Sequence, residues 1–253
     1  MTINVRERLI AAAIHFSITA CIAALAAAVV FFVWFPDAFA DMMGGKKLFF
    51  MVLAVDLSLG PLISLVIYSS QKPRRELIID YAIVGAVQLA ALLYGMFAVA
   101  VSRPAFIVYH GARLEIVTAV ELDDADLTLG VEPDFRTRSW TGPRLVAVEM
   151  PTDLQERNDL IFSAVSGKDA QLMPRYYRRY ESAHATILEQ SQPLETLQIS
   201  AVDRTELDRT VDRLGATAQA LRWLQVRHRF GYSLALIDAR TGDPVKFLTI
   251  NPN

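Results

Sequence analysis

Residues 9–35 read LIAAAIHFSITACIAALAAAVVFFVWF, a stretch without a single charged side chain. The hydrocarbon core of a bilayer is about 30 Å thick, and an α-helix crosses it with about 20 apolar residues. Only a helix satisfies every backbone polar group within one segment that is surrounded by lipid. The stretch therefore predicts a membrane-spanning helix.

The same stretch is not expected to be a cleaved signal peptide. A secretory signal has an apolar core of about 7–15 residues that is followed by small residues at the cleavage site. The tripeptide Ala38-Phe39-Ala40 resembles such a site, but it lies beyond a much longer apolar run. We expect the first helix to remain attached to the protein.

Two further stretches, at about 48–68 and 77–101, are also long and apolar enough to cross a bilayer. The chain as a whole is 53% hydrophobic and only 21% charged, which is unusual for a wholly soluble protein. After residue 101 the composition becomes that of an ordinary soluble domain. The sequence predicts a membrane protein with three transmembrane α-helices in residues 1–101 and one soluble domain in residues 102–253.

Basic residues beside the three stretches predict the orientation in the membrane. Five would lie on one side, namely Arg6, Arg8, Lys72, Arg74 and Arg75. Two would lie on the other side, namely Lys46 and Lys47. Short cytoplasmic loops are enriched in Lys and Arg. We therefore expect a cytoplasmic N-terminus and place the domain after Arg103 outside the cytoplasm, which in a Gram-negative cell is the periplasm.

An ionisable residue, Asp56, lies within the second stretch. Such a group in mid-membrane costs several kcal/mol and usually faces protein. The Gly60–Pro61 pair follows one turn later and can kink the helix and free a backbone carbonyl. Gln88, midway along the third stretch, is a candidate partner for Asp56, and Lys46 or Lys47 could also reach it.

Two interpretations of Asp56 remain open. Asp56 and Gln88 either tie the helices together through hydrogen bonds of about 0.5–2 kcal/mol each, or Asp56 carries a proton, acts as an acid or docks a partner. His15 has no ligand-spaced His, Cys or carboxylate nearby, so it is not expected to bind a metal. Cys21 is the sole cysteine, which excludes an intramolecular disulfide.

Beyond Arg103 the apolar residues alternate with polar ones, which is typical of strands. The predicted strands are 105–110, 114–121, 144–150, 222–229, 232–238 and 245–250. The predicted helices run from an N-cap at Thr152 to Gly167, over 174–190 and over 202–214. Residues 123–140 are predicted to form a loop. Strands at both ends with helices between them indicate an α+β domain.

The predicted helix at 174–190 carries a basic and aromatic cluster, with Arg175, Tyr176, Tyr177 and Arg178 at its centre. The cluster is either the solvated face of a helix that covers the core, or a surface that contacts lipid headgroups or a protein partner. These four residues are the candidate contacts of the soluble domain.

Catalytic motifs are missing from the sequence. It has no Gly-rich phosphate loop, no HExxH, no GxSxG and no cluster of Cys or His. The run Asp123, Asp124, Asp126 is more typical of a solvated turn than of a metal site. A net charge of −2 gives no electrostatic reason to expect nucleic-acid binding. We therefore predict a binding protein without enzymatic activity, cofactor or metal.

Four segments of the membrane region and its exit resemble one known family. They are Gly45-Lys46-Lys47-Leu48-Phe49, Val55-Asp56-Leu57-Ser58-Leu59-Gly60-Pro61-Leu62, Gln88-Leu89-Ala90-Ala91-Leu92-Leu93-Tyr94-Gly95 and Ser102-Arg103-Pro104. They resemble type IV pilin accessory proteins of the TfpX/TfpZ type. The second half of the chain is similar to that family mainly in length and in its closing hairpin. The resemblance implies a bacterial inner-membrane protein that acts as a chaperone-like factor on a type IV major pilin, affecting pilin level and pilus assembly.

This resemblance suggests that the second and third helices, through Asp56, Gly60 and Gln88, contact the pilin helix while the soluble domain contacts the pilin head. An intramembrane aspartyl enzyme is a different possibility, but it needs two carboxylates in one site. Asp80 should lie at the opposite, cytoplasmic end from Asp56. A transport-associated subunit that senses a periplasmic ligand is the other alternative, although three helices make a poor transport pathway and no cytoplasmic output domain is expected.

Overall fold

A computed structural model of the protein describes residues 5–252. The chain divides into two compact units. The first unit contains the described residues up to Val33 together with Gly44–Val101, and the second contains Trp34–Met43 together with the residues from Ser102 onward. The short connection at Trp34–Met43 therefore belongs to the same unit as the soluble domain, whereas the predicted boundary places it with residues 1–101.

Over residues 5–252, three helices are long and apolar enough to cross a membrane. Helix α1 (Val5–Ala28) continues through a π-helical segment to Trp34, and the short helix α2 (Phe39–Met42) follows. The second and third long helices are α3 (Gly45–Ile67) and α4 (Arg74–Val101). Many of their apolar side chains are exposed on the outside of the unit, as is typical of helices that are surrounded by lipid. Together with the domain described next, these helices confirm the predicted fold class.

Helix α3 packs against both α1 and α4. The α3–α4 contact is close because α4 has a glycine there. A Cβ atom on Gly95 would lie 2.6 Å from Cγ1 of Val52, so only glycine fits without a shift. Small residues commonly allow such close approach between membrane helices, where packing rather than the hydrophobic effect holds the helices together.

The second unit is built on one mixed sheet, which has eight strands over the described part of the chain. Its strands are β1 (Pro104–His110), β2 (Arg113–Thr118), β3 (Arg144–Val148), β4 (Tyr177–Arg179), β5 (Gln192–Pro193), β6 (Leu221–His228), β7 (Gly231–Asp238) and β8 (Pro244–Leu248). The order is β4-β3-β1-β2-β6-β7-β8, and β5 pairs with β6. The β1–β3 and β2–β6 pairs are parallel, and the remaining pairs are antiparallel. All six strands predicted from the sequence are present.

Besides α2, four helices accompany the sheet within the same described range: α5 (Asp124–Thr128), α6 (Leu154–Val165), α7 (His184–Gln190) and α8 (Ala201–Leu214). One core cluster gathers Phe106, Val117, Leu127 and Tyr177, and another gathers Leu207, Leu234 and Leu236. Residues 104–109 of the central strand β1 are all buried. A continuous apolar run is what a strand covered on both faces requires.

The predicted helix over 174–190 is wrong. Pro174–Tyr176 forms a 3₁₀ turn, Tyr177–Arg179 forms β4, and only His184–Gln190 is α-helical. Strand β4 pairs with β3, whose outer edge would otherwise lack hydrogen-bond partners. Tertiary pairing with β3 therefore overrides the local helical pattern.

Two smaller expectations also change. The segment 123–140, predicted as a loop, contains α5 and a 3₁₀ turn at Pro133–Arg136, and Asp123 caps α5 by accepting a hydrogen bond from the Ala125 N–H at 3.2 Å. Helix α6 is capped by Asp153, which accepts from the Glu156 N–H at 2.8 Å, rather than by Thr152. Both residue types are good N-caps, so the sequence pattern alone did not distinguish the neighbours.

The connection at Trp34–Met43 packs against the last strand of the sheet. The ring centroids of Phe39 and Phe247 are 5.0 Å apart, and Lys246 pairs with Asp37. Phe35 and Phe39 are both buried. This segment thus covers part of β8, an edge strand, and edges left open promote association with other chains.

Replacing Leu234, a fully buried side chain of β7, by Ala should lower the free energy of unfolding of the second unit by about 2–5 kcal/mol, because it leaves a cavity in the core. All three tryptophans of the sequence, Trp34, Trp140 and Trp223, belong to this unit. Tryptophan fluorescence of the purified full chain during urea unfolding therefore measures it. Val202→Ala, at an exposed position on α8, is the control and should change the midpoint little; equal shifts for both variants would contradict the core assignment.

The second unit should lose stability as the pH falls below about 6.5, partly because of His228. Burial lowers the pKa of His228 below 6.5, with a smaller opposing effect from a backbone hydrogen bond at Tyr232. The unfolded chain then binds the proton more readily than the folded one. His228→Gln should lose less stability between pH 7.5 and pH 5.5 than the wild type in the same fluorescence assay. An unchanged pH dependence would show that His228 does not contribute.

Candidate functional site

The polar face of α3 is formed by Asp56, Gly60 and Ser64, which are spaced four residues apart and are all buried. Residues at this spacing lie above one another on the same side of a helix. Pro61 lies within α3 and has no N–H, so the Leu57 carbonyl loses its usual helical donor. The face is therefore both small and polar, and the polar groups of other helices can approach its backbone.

Gln88 of α4 meets this face, as the sequence predicted, but through the backbone. Its side-chain Nε2 donates to the carbonyl oxygen of Asp56 at 3.4 Å, a long hydrogen bond. The predicted pairing of Gln88 with the Asp56 side chain is therefore replaced by a bond to the Asp56 backbone. Ten residues along α3 separate Lys46 from Asp56, about 15 Å of helix axis. That span is longer than a lysine side chain.

His15 of α1 joins Gln88 and Ser64, a contact that was not predicted from the sequence, where His15 was considered only as a metal ligand. Its Nε2 lies 2.8 Å from Oε1 of Gln88, and its Nδ1 lies 2.6 Å from Oγ of Ser64. With a neutral ring, Ser64 donates to Nδ1 and Nε2–H donates to Gln88. The sequence did contain a signal for this contact. A polar ring in lipid has a high free-energy cost, so it needs hydrogen-bond partners on neighbouring helices.

Together, Ser64, His15, Gln88 and the Asp56 carbonyl form one chain of hydrogen bonds across the three long helices. We call it the His15 link. Gly60 lies directly beneath it: a Cβ atom there would be 2.6 Å from Nε2 of Gln88 and 2.9 Å from Nε2 of His15. Any side chain at position 60 would displace both groups.

Two contacts of charged residues lie elsewhere in the first unit. Nη1 of Arg8 donates to the Leu65 carbonyl at 2.9 Å, near the end of α3 where carbonyls lack helical donors. Lys72 pairs with Asp80 at 2.7 Å. Asp80 thus has a lysine partner, and the carboxylate pair that an aspartyl enzyme needs does not form from Asp56 and Asp80.

A cleft of about 320 Å³ lies beside His15 in the first unit. Its lining comes from α1, from α4 and from Tyr68: Ala11, Ile14, His15, Ile18, Tyr68, Tyr81 and Gly85. Ile14, Ile18 and Gly85 are exposed, so the cleft opens on the outer surface of the unit. A Cβ atom on Gly85 would meet no atom within 4 Å. The cleft is apolar apart from the His15 ring and the tyrosine hydroxyls, which suits an apolar helix or chain.

Arg103, the remaining candidate near the membrane exit, is buried in the second unit. Its guanidinium lies 3.8 Å from the ring centroid of Trp140, and its Nε donates to the Ser139 carbonyl at 2.8 Å. Burial and the nearby Arg138 lower the pKa of Arg103 below its ordinary value. Stacking of arginine on tryptophan stabilises this corner of the domain.

The four candidates at 175–178 do not share one surface. Tyr177 is fully buried against Phe106, donates its hydroxyl to the Gln171 carbonyl, and has a pKa that burial raises. Tyr176 is buried too, and its hydroxyl donates to Glu156 at 2.9 Å.

Arg175 is exposed and stacks on the Tyr176 ring at 5.0 Å, and Arg178 pairs with Glu149 at 2.5 Å. These two arginines line a surface groove of about 300 Å³ together with Glu149 and Glu156. Partner contacts by Arg175 and Arg178 stay a prediction, while Tyr177 offers no surface to a partner. Among residues 5–252, no three His, Cys, Asp or Glu side chains are grouped so that they could hold a metal ion.

Comparison with known proteins identifies a family to which this chain is similar. The family described as fimbrial assembly protein FimB matches residues 3–44, which include all of α1 and the connection that follows it. The chain is 32% identical over 183 residues to the fimbrial assembly protein of serogroup I from Dichelobacter nodosus, covering 72% of this chain and 70% of that protein.

Two more relatives from Dichelobacter nodosus are also named fimbrial assembly proteins. The fimbrial assembly protein of serogroup E1 is 31% identical over 183 residues, with 72% of this chain and 70% of the relative covered. That of serogroups C1 and C2 is 36% identical over 105 residues, with 42% of this chain and 80% of the relative covered. No solved structure is similar to the chain. The expected relationship to fimbrial accessory proteins is thereby confirmed at the family level, and the chain belongs to the FimB family of fimbrial assembly proteins.

Proposed function

We propose that this protein is a non-enzymatic accessory factor of fimbrial assembly that binds a type IV major pilin and affects its level and its entry into the pilus. The proposal is supported by the relatives, each of which is named a fimbrial assembly protein. The match to the family at residues 3–44 falls on α1, the helix that carries His15 and one wall of the cleft. A binding role for the three-helix unit is therefore the most economical reading.

The proposed location is the bacterial inner membrane, with the N-terminus in the cytoplasm and the second unit in the periplasm. The distribution of basic residues supports this orientation, since five lie on the side of the N-terminus and two on the other. In this orientation the protein can contact both the apolar helix of a pilin that waits in the bilayer and the pilin head in the periplasm.

The cleft beside His15 is the proposed docking site for the pilin helix, and it is the observation that carries this function. In a bilayer, an open apolar cleft is filled by lipid chains or by another helix, and a glycine such as Gly85 lets a helix backbone approach closely. The His15 link lies beside the cleft and holds α1 and α4 to α3. Asp56, Gly60, Pro61 and Gln88 would then support the walls of the site from within instead of touching the pilin.

Photocrosslinking tests the cleft. With p-benzoylphenylalanine in place of Ile14, irradiated cells should yield an adduct with the major pilin, because Ile14 lines the cleft and is exposed. The matched control is Ile83 of α4, which is as exposed but does not line the cleft. Adducts detected by immunoblot from both positions, or from neither, would argue against a specific docking site.

Gly60→Val should reduce pilin abundance and surface pili toward the level of a deletion strain, because its side chain displaces both His15 and Gln88. The measurement is complementation of the deletion strain, with immunoblots of the pilin and of the variant itself to separate lost function from lost protein.

Two variants serve as controls in that experiment. Leu59→Val changes the adjacent, outward-facing residue and should complement normally. Asp56→Asn should also complement, since the hydrogen bond from Gln88 goes to the backbone carbonyl and not to the carboxylate. Failure of Asp56→Asn alone would favour a proton-carrying role for Asp56, and normal piliation in the deletion strain would contradict the proposed function.

A further inference from the structure

One end of the second unit carries several large apolar side chains that are exposed. We call it the entry end, because β1 begins there at Pro104, immediately after α4. Six side chains at this end are each 59–85% exposed: Val120, Trp140, Ile161, Phe162, Val165 and Phe230. Single exposed apolar residues are ordinary, but a group that shares one end of a domain marks a contact surface.

Helix α6 contributes half of this group and has an inverted pattern. Leu160 is its buried residue, whereas Ile161, Phe162 and Val165 point outward. The helix of a soluble domain normally turns its apolar stripe to the core and its polar residues to water. Here the outermost face of the helix is apolar, which is the arrangement of helices that lie in a membrane interface.

Strand register defines where α6 lies. Pro104 at the start of β1 pairs with Thr118 at the end of β2, so both mark the entry end. Strand β3 runs parallel to β1 and ends away from the entry end at Val148. Helix α6 then returns: Lys168, three residues after it, pairs with Asp126 and lies 3.9 Å from Asp123, which follows β2 closely. The last turn of α6 therefore lies toward the entry end.

Phe230 reaches the same end from another part of the chain. Strand β6 runs parallel to β2 with Leu114 opposite Val226, and Phe230 is in the turn that follows β6. Continuing this register places Phe230 level with Thr118. The tip of the β6–β7 hairpin is thus at the entry end, and it exposes a phenylalanine there.

Trp140 also belongs to this group, and a charged side chain lies next to its ring. Its ring is exposed on one side and lies under the Arg103 guanidinium on the other, and Trp34 is near it at 6.3 Å between ring centroids. Tryptophan is enriched at the level of lipid headgroups, where its ring can lie in apolar surroundings while its N–H group reaches polar ones.

We propose that the entry end rests on the lipid surface, with the outward face of α6 and the Phe230 hairpin tip inserted into the headgroup layer. The second unit is joined covalently to the long apolar helices, and this connection supports lipid as the material that covers the entry end. Only Ser102 and Arg103 separate β1 from α4, and the segment Trp34–Met43 is joined at both ends to long apolar helices. These tethers keep a bilayer within reach of the entry end at all times. The inference does not depend on the proposed contact with pilin.

Spin labels on the full chain test the proposal. Single cysteines are placed by Phe162→Cys or Phe230→Cys in a Cys21→Ala background, and the labelled protein is reconstituted in bilayers of phosphatidylethanolamine and phosphatidylglycerol. Two matched controls are Asp159→Cys on another face of α6 and Arg240→Cys in the turn after β7, at the opposite end of the sheet. All four positions are exposed, so the substitutions should leave the fold intact.

The readout is collision of each label with oxygen, which partitions into lipid, and with a water-soluble nickel chelate. The oxygen-to-nickel collision ratio at positions 162 and 230 should exceed that at 159 and 240 several-fold. Ratios equal to those of the controls would overturn the proposal, because the face would then be in water. Labels shielded from both reagents would overturn it too, because protein, either a second copy or a partner, would then cover the face.

Discussion

In the apolar region of this protein, every polar group needs a partner within the protein, because lipid offers none. The His15 link meets this requirement for three helices at once: Ser64 bonds to His15, His15 to Gln88, and Gln88 to the Asp56 carbonyl. Gly60 makes it possible by leaving room above the helix backbone. The positions of α1 and α4 on α3, and with them the cleft beside His15, depend on this chain of bonds.

The same requirement explains why Gln88 is where it is, since its amide group lies between the His15 ring and the Asp56 backbone carbonyl. Interhelical hydrogen bonds of this kind contribute about 0.5–2 kcal/mol each and fix the register of helices that have no hydrophobic effect to hold them together. The proposed site for a partner is therefore defined by its shape and its apolar lining, and it needs no reactive side chain. The first unit offers a shaped apolar cleft, and the second unit offers no group of side chains in its described residues that could bind a metal.

The second unit combines an ordinary core with an unusual surface. Tyr177, Phe106 and Leu234 fill the interior as in any soluble domain, and Trp34–Met43 covers part of the edge strand β8. The apolar side chains of α6 and the β6–β7 turn instead face outward. In the proposed arrangement, the lipid surface beside the apolar helices covers these side chains.

The sequence by itself determined the three apolar helices, the six main strands and the change of composition near Arg103, because these follow from local hydrophobic patterns whose period does not depend on distant residues. It also identified Gln88 as a partner at Asp56. Only the tertiary structure decided that Gln88 bonds to a backbone carbonyl, that His15 joins it, that 177–179 is an edge strand and that Tyr177 is buried. Each of these outcomes depends on which residue of another element lies within about 3 Å, a hydrogen-bond distance that one helix or strand cannot specify alone.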